Sequence, residues 1–168
     1  SPEAARSLMR GLARDLIQDT HDPAQLQRVW ASLDPAERAM PELALRASQR
    51  MLALNGDHAV VRQWLRPVWE RALDLPESLG DADRVRLARV LEAGMVADGD
   101  ASDPEWLARI EAASQANPGN AVLQYLAGMA CLHRGLWGRA QLLLTQSTRA
   151  LQDEALRRRS DHARSSTC

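Results

Sequence analysis

Apolar residues recur every three or four positions along almost the whole chain, and short segments rich in Pro, Gly, Asp and Asn interrupt this pattern. That spacing is typical of amphipathic α-helices, which hide one face and expose the other. Asp-Pro and Asn-Pro pairs mark helix boundaries, because proline has no amide hydrogen and disfavours a helical conformation in the residue before it. The chain is therefore predicted to form about eight helices with short connections and antiparallel neighbours. The interruptions fall at 21–23, 34–41, 55–57, 75–81, 98–104, 117–120 and 134–135.

The apolar face of each predicted helix is too narrow for the helix to stand alone in water. Leu8, Leu12 and Leu16 lie on one face of the first helix, and Asp22 before Pro23 is an N-cap and first-turn signal for the second. Burial contributes roughly 1.5 to 3 kcal/mol for each large apolar side chain, so the helices are expected to stack. The composition also favours an all-α fold, since Ala, Leu and Arg are the commonest residues and Phe is absent.

Charge and cysteine content exclude several classes of protein. The formal net charge is −1, and acidic residues are interspersed among 21 basic residues that are all arginine, so no field would gather nucleic acid. Two cysteines, Cys131 and Cys168, cannot build a disulfide framework. No apolar run approaches the roughly 20 residues that span a bilayer, so no membrane insertion by this chain is predicted.

A repeat with the 34-residue helix–turn–helix register of tetratricopeptide proteins is visible toward the C-terminus. In this register Gly128 lies where two helices cross too closely for a side chain, and Gly135 lies at the turn. Moving back by one repeat places Gly94 at the position of Gly128. The structural positions of the repeat are Gly94, Ile110, Ala113, Pro118, Gly128, Gly135, Trp137, Ala140 and Leu144.

Earlier residues fit the same template, although Pro67 interrupts its second helix. Proline at that position removes the hydrogen bond to the Gln63 carbonyl and predicts a kink. The fitting residues are Leu45, Leu52, Gly56, Val61, Leu65 and Val68. The predicted architecture is an α-solenoid of degenerate tetratricopeptide-like hairpins over 3–156, followed by a frayed or disordered tail at 157–168. Its units are approximately 3–33, 41–74, 82–118 and 119–156.

Three segments of the chain resemble the C-terminal region of the bacterial HemY family: RVWASLDPAERAMPELALRASQRMLALNGDH, RPVWERALDLP and NPGNAVLQYLAGMACLHRGLWGRAQLLLTQSTRAL. The resemblance covers roughly residues 3 to 156, and the last segment is the specific part. It implies a soluble tetratricopeptide-type domain on the cytoplasmic face of the bacterial inner membrane. The full-length protein would be anchored by N-terminal membrane helices and associated with late haem or porphyrin biosynthesis. The resemblance carries over no catalytic residues.

A partner groove is expected on the first helices of the hairpins, which line the concave surface of such a solenoid. Its mixed apolar and arginine character suits an extended or helical peptide with an acidic element. The expected groove residues are Arg46, Arg50, Leu91, Met95, Val122, Tyr125, Met129, Leu132 and His133.

No metal site or catalytic site is predicted. Cys131 and His133 are two residues apart, which places their side chains about 200° apart round a helix, so the two cannot chelate one ion. The chain has no nucleophile elbow, phosphate-binding glycine loop or His-Glu-x-x-His helix. An enzyme is therefore the least favoured class.

The favoured function is a non-catalytic scaffold that binds a protein or peptide, with haem-biosynthesis enzymes as the expected partners. The alternative is a carrier of haem or coproporphyrin, in which His133, Met129 and the groove arginines hold the tetrapyrrole and its propionates. The C-terminal hairpin lacks a following repeat, so a homodimer through this exposed hairpin is a further expectation.

Overall fold

The computed structural model describes residues 1–74, 79–95, 104–133, 135–150 and 160–165. Within these ranges the secondary structure is helical and contains no strand, which confirms the all-α prediction. Residues 160–165 are helical as well. The labelled helices are α1 (Pro2–Gln18), α2 (Pro23–Ser32), α3 (Pro35–Arg38), α4 (Pro41–Ala53), α5 (His58–Asp74), α6 (Asp81–Met95), α7 (Pro104–Ala116), α8 (Ala121–His133) and α9 (Trp137–Ala150).

Most helix starts follow the expected boundary chemistry. The Asp22 side chain accepts a hydrogen bond from the Gln25 amide at 2.8 Å, so the predicted N-cap of α2 is confirmed. Proline occupies the first turn of α1, α2, α3 and α4, where its missing N–H costs nothing.

The helix α3 was not expected, because it is a single turn inside a predicted interruption. Glu37 stabilises it by accepting a hydrogen bond from the Asp34 amide at 3.1 Å.

The chain divides into two compact units, Ser1–Asp83 and Arg84–Cys168. In the first unit α4 is central, because α1, α2, α3 and α5 all pack against it. Its buried side chains are accordingly spread round the helix, and they include Leu43, Ala44, Leu45, Ala47, Ser48 and Met51. In the second unit α8 packs against both α7 and α9. It buries an unbroken run from Leu123 to Cys131.

The hairpins α4–α5 and α8–α9 share one local design. Two residues after the first helix of each hairpin comes a residue with positive φ, Asn55 (56°) after α4 and Gly135 (75°) after α8. The next amide then reaches back to a carbonyl in the last turn, from Gly56 to Met51 at 2.8 Å and from Leu136 to Cys131 at 2.9 Å. These bonds form the C-terminal cap that favours glycine or asparagine. Gly135 therefore lies at the turn, where the repeat places it.

The second helices of these two hairpins also correspond. Val61, Leu65 and Val68 of α5 are buried at the same three- and four-residue spacing as Ala140, Leu144 and Ser147 of α9. A Cβ atom at Gly128 would lie 2.8 Å from Cγ of Leu144, so α8 and α9 approach closely where the repeat predicts a crossing.

Other structural repeat positions lie as follows. Gly94, Ile110 and Ala113 are buried, whereas Pro118 is exposed. The Pro118 carbonyl accepts a hydrogen bond from the Gln124 side chain. Trp137 begins α9, but its side chain lies outside the described residues.

Two expectations are corrected by the packing. Leu8, Leu12 and Leu16 of α1 are 66%, 57% and 52% exposed, while Ala13 and Ile17 on another face of the helix are buried. The face of α1 that packs in the first unit is therefore the one that carries Ala13 and Ile17.

The second correction concerns the predicted tail at 157–168. Residues 160–165 form a helical turn in which Ser160 and Ala163 are buried. The Ser160 and Ser147 hydroxyl oxygens are 3.2 Å apart, so this segment packs against α9 instead of fraying.

Candidate functional site

The helix α4 presents a line of charged side chains to the surface. Glu42, Arg46 and Arg50 are spaced four residues apart, which places them one above another on one face. All three are partly exposed, while residues on the other faces of α4 are packed by four neighbouring helices. The tightly packed helix thus holds these side chains on a rigid support.

The neighbouring helix α1 adds a third arginine to this line. Arg14 Nη2 lies 2.5 Å from Glu42 Oε1, and Arg46 Nε lies 3.7 Å from the same oxygen. Arg50 Nη2 donates to the Thr20 carbonyl at 2.6 Å, which ties α4 to the end of α1. We call Arg14, Arg46 and Arg50 with Glu42 the arginine cluster.

The arginine cluster has more hydrogen-bond donors than acceptors. Among the described residues, Glu42 is the one carboxylate in the cluster, and it pairs with Arg14 and Arg46 but not with Arg50. The Nε atoms of Arg14, Arg46 and Arg50 are buried and have no hydrogen-bond partner there. The remaining guanidinium surface is accessible, since the Arg14 and Arg46 side chains are 40% and 30% exposed.

This arrangement suits recognition of a carboxylate. Guanidinium is planar and offers paired donors that match the two oxygens of such a group. The cluster contains three arginines and one acid, so positive charge is in local excess. The chemistry is therefore binding, because arginine stays protonated and cannot act as a general base.

The predicted groove residues divide between surface and core. Arg46 and Arg50 lie together in the arginine cluster. Leu91, Tyr125 and Met129 of the second unit are 0%, 0% and 7% exposed, so these three belong to the core and do not line an open surface. Tyr125 is held there because its hydroxyl donates to Glu92 Oε2 at 2.8 Å, which gives its polar end a buried partner.

The other expected groove residues lie toward the ends of their helices. Val122 and Leu132 are partly exposed at the two ends of α8. The side chains of Met95 and His133 lie outside the described residues.

Sequence reasoning missed Arg14 and Glu42. The four-residue spacing of Glu42, Arg46 and Arg50 was a usable signal for the acid, since such pairs are neighbours on a helix. No sequence pattern near Arg14 indicates that it belongs to the cluster. It is 28 residues from Glu42 and contacts it only because α1 packs on α4.

Cys131 belongs to the core of the second unit. Its thiol is fully buried, and Sγ lies 3.7 Å from Glu111 Oε1. Among the described residues no three His, Cys, Asp or Glu side chains gather as a metal site would require. Over the same residues, no helix combines the length and the apolar character needed to cross a membrane.

Comparison of the chain with protein-family models, with curated proteins and with solved structures finds no match.

Proposed function

We propose that the chain is a non-catalytic protein-interaction module in which tandem helical hairpins hold an acidic peptide segment on the arginine cluster. The observation that carries this proposal is the gathering of three arginines round one acid, with the Arg14 and Arg46 side chains 40% and 30% exposed. A carboxylate from a partner would pair with their accessible guanidinium nitrogens.

The packing within the first unit supports a hairpin array. There α1 contacts α2 and α4, α2 contacts α4, and α4 contacts α5, which is the order expected when each helix pair stacks on the next. Ala13 and Ile17 of α1 are buried, as are Ala47 and Met51 of α4, which follow them by 34 residues. The arginine cluster then lies on the first helices of two successive hairpins, where a tetratricopeptide-type groove is expected.

The chemistry of the cluster favours a peptide over the other ligand classes. A net charge of −1 gives no general attraction for nucleic acid. A helical-repeat surface is an extended support suited to a segment of chain, and one or two acidic side chains would satisfy the guanidinium groups.

The resemblance to the HemY family extends this proposal. On that reading the partner is a haem-biosynthesis enzyme, and the domain acts beside the inner membrane as part of an anchored protein. The tetrapyrrole carrier stays an alternative prediction. A haem titration with a change in the Soret absorption that is lost in His133→Ala would favour it over the scaffold.

Peptide display on the immobilised chain tests the proposal directly. We expect selected peptides to carry acidic residues, and the best of them to bind Arg46→Gln at least tenfold more weakly, since a charged hydrogen bond contributes about 1.5 to 3 kcal/mol. Arg66→Gln is the matched control, because Arg66 already pairs with Glu70 at 3.1 Å on the exposed face of α5. Selection of neutral peptides, or equal binding by both variants, would refute the proposal.

A further inference from the structure

A second surface of the first unit has the form of a binding site. It is a cleft of about 420 Å³ between α2, α3 and α5, within the 300 to 1,000 Å³ typical of ligand pockets. We call it the tryptophan cleft. It is lined by Gln27, Trp30, Ala31, Arg38, Val60, Gln63, Trp64 and Pro67.

The two tryptophans of the cleft occupy equivalent positions on successive hairpins. Trp64 of α5 follows Trp30 of α2 by 34 residues, and the ring centroids are 5.1 Å apart at an interplanar angle of 34°. Tilted aromatic pairs at this distance are favourable, so the pair is a stable apolar floor. Both residues are largely buried, at 8% and 9% exposure.

The tryptophan cleft is rich in hydrogen-bond donors. Among the described residues, the indole N–H groups of Trp30 and Trp64 have no hydrogen-bond partner. Neither nitrogen is fully buried, so both donors reach the surface. The short helix α3 places a partly exposed arginine, Arg38, at the rim. Its guanidinium likewise has no hydrogen bond or ion pair within the described part of the chain. None of the residues described as lining the cleft is acidic, so Arg38 has no carboxylate partner within it.

The carbonyl of Gln63, a residue that lines the cleft, is a free backbone hydrogen-bond acceptor. Pro67 lies inside α5 and has no amide hydrogen, so the Gln63 carbonyl loses its helical donor. Both residues line the cleft, together with the aliphatic side chain of Val60. The cleft thus combines flat apolar surface, several donors and a single positive charge.

We infer that the tryptophan cleft docks a proline-rich extended segment that carries an acidic residue. A proline-rich segment has the complementary chemistry, because its carbonyls make no internal hydrogen bonds and its prolines have no N–H to satisfy. Proline rings pack on aromatic surfaces, the indole N–H groups donate to the free carbonyls, and the acidic side chain pairs with Arg38. This site lies on the second helices of the hairpins, apart from the arginine cluster, and it rests on the proposed function only in taking the chain as an interaction module.

The indole resonances of the ¹⁵N-labelled chain provide the test. The probe is a synthetic peptide of about four Pro-Pro-Glu repeats, which adopts the extended helix before binding. We expect the Trp30 and Trp64 indole signals to shift as peptide is added, and the signal of Trp69, a buried residue outside the cleft lining, to stay in place. Two matched peptides, one with Ala for Pro and one with Gln for Glu, separate the contribution of proline from that of charge.

Substitutions in the cleft assign the contacts. Trp64→Phe keeps an aromatic floor but deletes one N–H, so we expect roughly fivefold weaker binding, and Trp69→Phe is the control. Arg38→Gln should abolish the preference for the Glu peptide over the Gln peptide. The far-ultraviolet circular dichroism spectrum and thermal midpoint of each variant show that it is folded. Unmoved Trp30 and Trp64 signals at millimolar peptide, or equal binding of the Ala peptide, overturn the inference.

The same titration keeps this inference distinct from the proposed function. Shifts confined to backbone signals of α1 and α4 would refute docking in the tryptophan cleft while supporting the arginine cluster. Shifts of the two indoles that persist in Arg46→Gln support the cleft whatever the outcome for the cluster.

Discussion

Replacement of Gly128 by alanine tests the close crossing of α8 and α9. The new Cβ would lie 2.8 Å and 2.9 Å from Cγ and Cδ2 of Leu144, and 3.3 Å from Cβ of Leu143. Contacts of this length cannot persist, so one helix must move or Leu144 must leave its buried position. Overpacking of this kind costs about 1 to 3 kcal/mol, whereas alanine favours the helix over glycine by about 1 kcal/mol. We expect a net loss of about 1 kcal/mol in the free energy of unfolding, which lowers the melting midpoint by roughly 2 to 4 °C.

Two further variants isolate the cause. Gly138→Ala lies in the same unit, and its Cβ would meet nothing within 4 Å, so we expect it to be neutral or stabilising. Leu144→Ala removes the obstructing side chain at a cost of about 2 to 5 kcal/mol. In that background Gly128→Ala should become neutral or stabilising, because the two shortest contacts are removed and the 3.3 Å contact with Cβ of Leu143 is offset by the gain in helix propensity.

Thermal unfolding followed by circular dichroism at 222 nm gives the four midpoints of this double-mutant cycle. The close crossing of α8 and α9 predicts a coupling between positions 128 and 144 of about 1 to 3 kcal/mol. It would be refuted if Gly128→Ala raised the midpoint as Gly138→Ala does, or if its effect were the same with Leu144 present and absent.

Three other expectations follow from local geometry. Gly135→Ala should cost about 1 to 2 kcal/mol, since its φ is positive, whereas Asn55→Gly should be neutral or slightly stabilising; urea unfolding measures both. Tyr125→Phe should cost about 1 to 3 kcal/mol, because Glu92 loses a buried donor, while Glu92→Gln retains an acceptor for Tyr125 and should cost less in the same assay. Trp64→Ala should lower the free energy of unfolding by about 3 to 5 kcal/mol and Trp64→Phe by much less, as thermal melts would show.

The features that the sequence predicts well are those decided by local chemistry. The N-cap at Asp22 depends on residues within one helical turn, and the turn at Gly135 depends on the positive φ that glycine accepts. These signals need no knowledge of which helices become neighbours.

The features that the sequence misses depend on distant neighbours. The stripe of Leu8, Leu12 and Leu16 shows that α1 is amphipathic, but hydrophobic periodicity cannot say which face meets α4. Tyr125 was expected to line the partner groove, but it is buried. Glu92, which is 33 residues away in the sequence, gives its hydroxyl a buried hydrogen-bond partner. The tryptophan cleft escaped notice for the same reason, since it forms only when α2, α3 and α5 are assembled.

The two candidate sites of the first unit should act independently, and this follows from where their residues lie. The arginine cluster uses α1 and α4, and the tryptophan cleft uses α2, α3 and α5, so no side chain belongs to both. Sites without shared side chains behave additively unless binding moves the helices between them. Arg46→Gln should therefore leave the affinity for the Pro-Pro-Glu peptide unchanged, and Trp64→Phe should leave that for an acidic peptide unchanged. A change in either affinity, measured by titration of the folded variants, would show that the hairpins shift on binding and that the first unit is not a rigid support.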